Sequence, residues 1–277
     1  MARLWPALDV WNVEADLLLA VVDDFGPTAV EEHDDTVRLF FSTTTARDEA
    51  GRAIVSNPIV GTPRQQLVDV SDDDWARRSQ DNLQPVTVGK ITVLPDSRLL
   101  GPDPAALAIV IPPSMAFGTG HHATTRLCLA ALQTVPLADA SVVDVGTGSG
   151  ILAITAVALG ATRALGIDYD VDAIAAAREN VERNRHIPGI ERVALECLDL
   201  GSLAEQTADC VTANLTGTLI AAQAGTLQSA VRPGGRLILS GVLADEWAAV
   251  FAAFGGAVKK VWQSQEDGWI GAVVVKK

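Results

Sequence analysis

The sequence predicts an α/β protein in which a doubly wound, mostly parallel sheet follows a small α+β domain. From Ala106 onward, apolar runs of strand length alternate with glycine loops and runs of helix length, which is typical of a sheet covered by helices on both faces. Before that residue the runs are shorter, and two of them form a hairpin pattern. The chain has 277 residues, 48% of them hydrophobic and 20% charged, and a chain of this length can bury a core without disulfides or metals.

Residues 1–72 are expected to form the small domain. Their runs follow the order β-α-β-β-α-β, which is the ferredoxin-like split arrangement. Gly26 and Pro27 end the first helix, and the polar residues 33–35 form the hairpin turn. The predicted elements are Leu4–Val10, Glu14–Asp24, Thr28–Glu32, Thr36–Phe41, Thr44–Ser56 and Arg64–Val70.

Residues 73–105 are predicted to be a connector that packs against the larger domain. A short helix is expected at Asp72–Arg78, around Trp75, and an extended stretch at Val86–Leu94. Prolines and glycines after that stretch mark turns.

Residues 106–277 are expected to form the large domain. The predicted strands are Val142–Val145, Ala164–Ile167, Val193–Cys197, Ala208–Leu215, Arg236–Gly241 and Trp269–Val275. The predicted helices are Leu127–Leu132, Ile151–Leu159, Val171–Asn184, Thr218–Val231 and Ala244–Phe254.

The charge is distributed unevenly along the chain. The formal net charge is −13, and residues 1–75 contain fifteen Asp and Glu but five Arg and no Lys. Nucleic-acid-binding domains usually carry the opposite sign, so we expect no nucleic-acid partner. An acidic module favours encounter with a basic protein, although a solvated acidic surface without any partner explains the charge equally well.

The cysteines and the apolar runs predict a cytoplasmic protein. Cys128, Cys197 and Cys210 are far apart and odd in number, which indicates neither a disulfide framework nor a paired metal site. No run reaches the roughly 18 apolar residues of a membrane span, so no membrane partner is expected. The first residues lack the long apolar core of a signal peptide.

The most informative loop follows the strand Val142–Val145. Gly146, Gly148 and Gly150 let the backbone approach a ligand and turn into a helix N-terminus. A dinucleotide-binding loop has the spacing G-x-G-x-x-G, whereas here the third glycine comes one position earlier. Asp144 would repel a pyrophosphate but suits a cationic ligand such as S-adenosylmethionine, which carries an ammonium and a sulfonium. An ordinary strand-to-helix turn is the alternative.

Two aspartates follow the next strands. Asp168 comes directly after Ala164–Ile167, about where an acidic residue binds ribose hydroxyls. The alternative is that it caps the following helix, a position for which Asp170 is better placed. Asp199 comes just past Val193–Cys197 and is a candidate for contact with an adenine amino group, with a solvated loop carboxylate as the equal alternative.

Asn214 lies near the end of the strand Ala208–Leu215. A side-chain carbonyl at this edge of the sheet lies where ligands bind in such folds. Its oxygen and a nearby backbone carbonyl can accept hydrogen bonds from a substrate amine and aim the nitrogen lone pair at a methyl group. The alternative is a cap for the helix near Thr218.

The segment Ala116–Thr125 reads AFGTGHHATT and leads into the apolar helix Leu127–Leu132. Its glycines allow close backbone approach, so we expect it to close over a bound ligand. Thr124 or Thr125 is expected to cap the helix. The two adjacent histidines have no Cys or carboxylate at ligand spacing, so we expect no metal. The candidate ligand contacts in this segment are Phe117, Gly118 and Thr119.

Four segments together resemble the bacterial ribosomal protein L11 methyltransferase (PrmA) family. They read AFGTGHHATT, VVDVGTGSGILAI, LGIDYDVDAIAAARENVERN and TANL, and the resemblance extends from about Trp75 to the C-terminus. It implies a class I, Rossmann-like methyltransferase that uses S-adenosylmethionine and methylates lysine and α-amino groups of ribosomal protein L11. It also implies that residues 1–72 recognise this substrate.

By motif, the resemblance assigns cofactor contacts to Thr125, Gly146, Asp168 and Asn214, and it matches His122 to a histidine of the family. The sequence departs from the family pattern at Pro113-Ser114, His121, Ala123 and Thr147, the last of which stands where the family often has Cys.

The expected chemistry is methyl transfer to an amine. A lysine amine with its ordinary pKa of about 10.4 is mostly charged at neutral pH, and the sequence offers no clear general base. We therefore expect Asn214 and the carbonyl of Leu215 to position the amine, with His122 as a helper. The alternatives are a methyltransferase for another protein or a small molecule, a non-catalytic S-adenosylmethionine-binding protein, and an NAD-dependent oxidoreductase, which the glycine spacing disfavours.

Overall fold

The structure is a computed structural model that describes residues 4–13, 15–22, 25–33, 35–57, 63–71, 84–101, 107–112, 120–201 and 207–277. The chain forms two compact units, Met1–Asp81 and Asn82–Lys277. The predicted helix Asp72–Arg78 lies outside the described residues.

The first unit has the predicted β-α-β-β-α-β order. Its elements are β1 (Leu4–Trp11), α1 (Ala15–Val22), β2 (Pro27–His33), β3 (Thr36–Phe41), α2 (Thr44–Ser56) and β4 (Gln65–Ser71). The strands form an antiparallel sheet in the order β2-β3-β1-β4. Alternate residues of a strand point to opposite faces, so Leu8 and Val10 of β1 pack with Leu18 of α1 and Ile54 of α2.

A charged pair crosses β1 and β3 of the first unit. The guanidinium of Arg38 donates from Nε and Nη2 to the two carboxylate oxygens of Asp9, at 2.5 and 2.7 Å. Asp9 is 6% exposed, so the pair is largely out of water, and its bidentate geometry satisfies both oxygens.

The second unit begins with a small sheet. Its strands are β5 (Val86–Val88), β6 (Ile91–Leu94) and β7 (Leu107–Val110), with β5 antiparallel and β7 parallel to β6. A short 3-10 helix follows β6 at Ser97–Leu99. The stretch Val86–Leu94, predicted as one extended run, is therefore a hairpin that turns at Gly89, where φ is +59°.

The large sheet has seven strands in the order β10-β9-β8-β11-β12-β14-β13. The five strands from β10 to β12 in this order are parallel to one another. Strand β14 is antiparallel to β12, and β13 is antiparallel to β14. The predicted doubly wound, mostly parallel sheet is therefore confirmed. The strands are β8 (Ser141–Val145), β9 (Arg163–Asp168), β10 (Val193–Cys197), β11 (Ala208–Asn214), β12 (Val231–Leu243), β13 (Val258–Glu266) and β14 (Trp269–Lys276).

Two strands and one helix of residues 106–277 differ from the prediction, and one of these strands is the short β7, which pairs with β6 in the small sheet. Strand β13 was not predicted, because it is an edge strand whose exposed Lys259 and Lys260 interrupt its apolar pattern. The predicted helix Thr218–Val231 is two short helices that meet at Gln223. The helices of this unit are α3 (Ala123–Leu132), α4 (Ile151–Ala158), α5 (Val171–Arg183), α6 (Gly217–Ala222), α7 (Ala224–Ser229) and α8 (Trp247–Ala252), with a 3-10 turn at Ile190–Arg192.

Two apolar clusters hold these layers together. One contains Leu129 of α3 and Ile154 of α4, and the other contains Ile220 of α6 and Val250 of α8. Within the described ranges, the structure contains no helix with the length and apolar character needed to cross a lipid bilayer.

Candidate functional site

The carboxyl ends of β8 and β11 form the centre of the candidate site. These strands are neighbours, and the chain leaves them in opposite directions, from β8 to β9 and β10 and from β11 to β12. In open α/β sheets, ligands bind in the crevice at such a switch point. The glycine loop 146–150 follows β8, and Asp168 and Asn214 are the last residues of β9 and β11, all at this edge.

The glycine loop adopts the backbone conformation that its glycines allow. The φ angles of Gly146, Gly148 and Gly150 are +67°, +52° and +80°, a region in which other residues are strained. Gly150 is also the residue before α4, and a β-carbon on it would lie 3.1 Å from Cβ of Ala177 in α5. The third glycine therefore permits close packing of α4 on α5, while the first two shape the loop.

Asp168 is joined to the glycine loop. Its Oδ2 accepts a hydrogen bond from the backbone N–H of Gly148 at 3.0 Å, and its Oδ1 accepts one from that of Asp170 at 3.1 Å. Asp170 caps α5 by accepting from the N–H of Asp172 at 2.9 Å, so the alternative that Asp168 is the cap is wrong. Each carboxylate oxygen of Asp168 keeps a lone pair for the hydroxyl groups of a ligand.

Asp144 does not face an open ligand site, which corrects the expectation of a direct contact with a cationic ligand. It is 1% exposed. Its Oδ2 accepts from the hydroxyl of Thr147 at 2.7 Å and its Oδ1 from the hydroxyl of Thr212 at 2.5 Å. Burial raises the pKa of Asp144 to about 6, although these hydrogen bonds oppose the shift.

Asn214 is the last residue of β11 and pairs with Ser240 of β12. In the part of the chain that the structure describes, its side-chain amide makes no hydrogen bond. Thr216 caps α6 by accepting from the N–H of Leu219 at 3.4 Å, so the cap that was the alternative role of Asn214 is provided by another residue.

Leu215 is held between two glycines. Its N–H donates to the carbonyl oxygen of Ser240 at 3.1 Å. A β-carbon on Gly146 would lie 2.5 Å from Cδ2 of Leu215, and one on Gly241 would lie 2.2 Å from its carbonyl oxygen. The backbone of Leu215, whose carbonyl is a candidate acceptor for a substrate amine, therefore depends on Gly241, which the sequence did not single out.

The cap of α3 differs from the prediction. Neither Thr124 nor Thr125 caps this helix, because both are inside it and buried. His122 is the cap: its Nδ1 accepts from the N–H of Thr124 at 3.3 Å and lies 2.7 Å from the Thr124 hydroxyl oxygen. Its ring also packs edge-on against Trp269, with centroids 5.3 Å apart.

The capping role limits what His122 can do in the reaction. Partial burial and the positive charge of Arg126 lower the pKa of His122, and Asp267 opposes them. The ring is therefore predominantly neutral at neutral pH, as an Nδ1 acceptor must be. Because Nδ1 is occupied by the helix terminus, this atom is not available to take a proton from a substrate.

Thr125 carries an unsatisfied buried hydroxyl. The residue is 1% exposed, and its Oγ1 has no hydrogen-bond partner among the described residues. Buried hydroxyl groups are normally hydrogen-bonded, so this unpaired hydroxyl of α3 is a candidate donor to a ligand.

The remaining sequence candidates contribute less. Asp199 is exposed, and its Oδ1 accepts from the N–H of Gly201 at 2.8 Å, which closes a turn after β10. Phe117, Gly118 and Thr119 lie outside the described residues.

Besides Gly241, two supporting residues have no signal in the sequence. The guanidinium of Arg126 donates to the carbonyl of His121, to Glu266 at 2.7 Å and to Asp267 at 3.2 Å, and so joins the start of α3 to the β13–β14 turn. Asn180 of α5 donates to the carbonyl of Ser149 at 2.9 Å. These partners are far apart in sequence, and no local pattern reveals them.

The described residues fit S-adenosylmethionine. Asp168 offers a carboxylate for ribose hydroxyls, Thr125 offers an unpaired buried hydroxyl, and Gly146 keeps side-chain atoms away from the end of β8. Asn214 offers both an amide oxygen and an amide N–H group. No side chain in this set requires a phosphate, which S-adenosylmethionine lacks.

Comparison with known proteins leads to the same family. The family model described as ribosomal protein L11 methyltransferase (PrmA) matches residues 16–277. A ribosomal protein L11 methyltransferase of Azotobacter vinelandii is 39% identical over 249 residues, which cover 89% of this chain and 83% of that protein. The protein of the same name from Cupriavidus metallidurans is 43% identical over 225 residues, which cover 80% and 69% of the two chains.

A solved structure supports the fold. The ribosomal protein L11 methylase of Lactobacillus delbrueckii subsp. bulgaricus matches with a TM-score of 0.64 and 27% identity, and the match covers 70% of this chain and 100% of that one. This chain is therefore a methyltransferase of the class I fold with S-adenosylmethionine as its cofactor, and it belongs to the ribosomal protein L11 methyltransferase family.

Proposed function

We propose that this enzyme transfers methyl groups from S-adenosylmethionine to ribosomal protein L11, on lysine side chains, the α-amino group or both. The relatives described above are named for this substrate. In this chain, the observation that carries the proposal is the amide of Asn214, which lies at the carboxyl end of β11 without a hydrogen-bond partner among the described residues. An amide oxygen in this position can accept an N–H of an incoming amine.

Positioning is the main contribution of the protein in this proposal. The bound cofactor supplies an electrophilic methyl group on a sulfonium, ready for in-line displacement by an amine. Thr125, Gly146 and Asp168 hold the cofactor, with Asn214 beside it. Asn214 Oδ1 and the carbonyl oxygen of Leu215 accept the two N–H groups of a neutral amine, so that its lone pair points away from both oxygens. Such alignment lowers the barrier because fewer orientations have to be lost in the transition state.

The amine has to arrive without its extra proton. A lysine with a pKa of about 10.4 is neutral in only a small fraction of molecules at pH 7. The oxygens of Asn214 and Leu215 can accept from an ammonium as well as from a neutral amine, but only the neutral amine keeps a lone pair for the methyl group. Because Nδ1 of His122 is occupied, we propose that the proton leaves to water.

The acidic N-terminal part of the chain is proposed to bind the substrate. Residues 1–72 would recognise a basic protein, residues 73–105 would connect, and residues 106–277 would bind the cofactor and carry out the transfer. The charge supports this division, because residues 1–75 hold fifteen of the 34 Asp and Glu but five of the 21 Lys and Arg. We place the enzyme in the cytoplasm with its ribosomal substrate and propose no nucleic-acid or membrane partner.

The test is a methylation assay with purified components. The full chain is incubated with labelled S-adenosylmethionine and purified ribosomal protein L11, and mass spectrometry locates the added methyl groups. We expect label on lysine or α-amino nitrogens of L11, and labelling slower on the order of 100-fold with the Asn214→Ala variant. Unlabelled L11 together with a labelled protein from a cell lysate would keep the chemistry and change the substrate. Cofactor binding without transfer to any lysate component would favour a non-catalytic binding protein.

The binding role of the N-terminal part requires a second comparison. Activity on L11 is measured for the full chain and for a chain that starts at Asn82, where the second compact unit begins. A domain that supplies only binding affects activity on the intact protein and leaves cofactor affinity unchanged. The advantage of the full chain should shrink at high salt, because exposed charges are screened beyond about 8–10 Å at physiological ionic strength. Equal activity of both chains would refute the recognition role.

A further inference from the structure

Three buried side chains form a hydrogen-bonded unit beneath the glycine loop. Both oxygens of Asp144 accept from threonine hydroxyls, Thr147 at 2.7 Å and Thr212 at 2.5 Å. The exposed fractions of Asp144, Thr147 and Thr212 are 1%, 4% and 0%. No residue of this unit faces the crevice, so the unit can affect a ligand only through the groups it supports.

Strand register explains why the three residues meet. Asp144 of β8 is paired with Thr212 of β11 on one side and with Gly166 of β9 on the other, so these positions share a face of the sheet. Gly166 leaves room for the loop: a β-carbon there would lie 2.6 Å from Oγ1 of Thr147. Thr147 therefore folds back over Gly166 and reaches Asp144.

The unit is connected to both ends of the candidate cofactor site. At one end, the N–H of Thr147 donates to the carbonyl of Ile167 at 2.9 Å, and the next residue, Gly148, donates to Asp168 at 3.0 Å. At the other end, Thr212 lies two residues before Asn214, on the same face of β11. A shift of Thr147 would therefore move the loop that binds Asp168.

We propose that Thr147 and Thr212 are positioning residues for the cofactor, and that they fix the glycine loop through the ionised carboxylate of Asp144. This proposal rests on S-adenosylmethionine as the cofactor in the function proposed above. The carboxylate accepts from both hydroxyls at once, and hydrogen bonds to a charged acceptor are stronger than those between neutral groups. Protonation of Asp144 places a proton on one of these oxygens and removes the charge, so that the hydrogen bonds from the two hydroxyls become weaker and the loop is held less firmly.

The surroundings of Asp144 favour this sensitivity to protonation. Burial raises its pKa to about 6, and the negative charge of Asp168 acts in the same direction. Among the residues that the structure describes, the thiols of Cys128 and Cys210 also interact with it. Burial raises the pKa of both thiols, so they stay neutral around pH 6 and add no charge beside the carboxylate.

The test is calorimetric titration with S-adenosylmethionine alone, between pH 5 and pH 8. Thr147→Val removes the hydroxyl and keeps the shape, whereas Thr147→Ser keeps the hydroxyl. We expect Thr147→Val to weaken binding about tenfold at pH 7.5, the loss typical of one hydrogen bond to a charged group, and Thr147→Ser to bind within about twofold of the wild type. Wild-type affinity should fall as the pH drops through 6, and the Thr147→Val variant should show a flatter profile.

Two further variants separate positioning from damage to the fold. Thr155→Val removes another buried hydroxyl, which donates to the carbonyl of Ile151 within α4, and it should leave affinity and its pH profile unchanged. Thr212→Val removes the second donor to Asp144 and should resemble Thr147→Val, which provides an independent test if Thr147→Val does not fold. Wild-type affinity and pH profile in a folded Thr147→Val or Thr212→Val protein would overturn this proposal alone. A wild-type chain that binds no S-adenosylmethionine would overturn it together with the proposed function.

Discussion

Gly241 touches the backbone of Leu215, so closely that a β-carbon on Gly241 would lie 2.2 Å from the Leu215 carbonyl oxygen. Gly241 has a φ of +84° and lies in an irregular stretch of β12, where the pairing with β14 shifts register between Leu239 and Val242. The end of β11, which carries Asn214 and Leu215, is therefore positioned by a glycine of the neighbouring strand.

Gly241→Ala should impair catalysis more than it impairs cofactor binding. The new methyl group would collide with the backbone of Leu215. The clash cannot be relieved by rotation of a side chain, so the Leu215 carbonyl itself would have to shift. Gly234→Ala is the matched control, because Gly234 is in the same strand with a φ of +76° but a β-carbon on it would meet no atom within 4 Å. Both variants should lose about 1–2 kcal/mol of stability from backbone strain. Turnover at saturating substrate should fall in Gly241→Ala alone, and equal turnover in both would contradict the positioning role.

Asn214→Ala should lower the single-turnover rate on the order of 100-fold at saturating cofactor, because a misplaced nucleophile reacts that much more slowly. The affinity for S-adenosylmethionine should stay nearly unchanged. Asn214→Asp keeps oxygen acceptors at the same distance from the backbone and should retain more activity than Asn214→Ala. If both variants turned over at the wild-type rate, Asn214 would have no part in the transfer.

Asp168→Ala should weaken the binding of S-adenosylmethionine by about 1.5–3 kcal/mol, the usual range for hydrogen bonds to a charged group. Asp170→Ala is the control, because Asp170 caps α5 two residues further on. That variant should lose about 1 kcal/mol of stability and little affinity. Calorimetric titration with S-adenosylmethionine measures the affinities, and titration with NAD measures the selectivity. Denaturant titration measures the stability of Asp170→Ala. Unchanged affinity in Asp168→Ala would remove Asp168 from the cofactor site.

Asp144 should make the protein less stable as the pH rises. Its pKa is raised to about 6 in the folded chain, so between about pH 4 and pH 6 the folded state holds a proton that the unfolded state has released. Its contribution to stability is therefore fully present below its ordinary pKa of 3.8 and is lost as the pH rises through 6. The difference in unfolding free energy between the wild type and Asp144→Asn should change by on the order of 3 kcal/mol over this window, as denaturant titrations can measure.

Asp209 provides a control with the opposite sign. Hydrogen bonds from Ser141 and the charge of Arg232 lower the pKa of Asp209 despite its partial burial. Its stabilising effect is therefore present above its ordinary pKa and is lost only at more acidic pH. Asp209→Asn should lower stability by a constant amount between pH 5.5 and pH 7.5. If the difference in stability between Asp144→Asn and the wild type also stayed constant between about pH 4 and pH 6, the shift assigned to Asp144 would be wrong.

The sequence by itself determined the fold class, the order of most elements and several positions of the candidate site. Alternating runs specify strands and helices because burial of one face is a local property of the chain, and parallel strands bring their carboxyl ends to one edge. Asp168 and Asn214 could therefore be selected by their place at strand ends, and Asp170 could be recognised as a cap from its distance to the helix.

The tertiary structure alone decided the contacts between residues distant in sequence. Asp144 looked like a ligand contact, and only the register of β8 with β11 shows that Thr212, 68 residues away, covers one of its oxygens. The pairing of β11 with β12 likewise places Gly241 against Leu215. His122 rather than a threonine caps α3. These contacts depend on the register of neighbouring strands and on which side chains share a buried space. Residues adjacent in the chain determine neither the register nor the sharing.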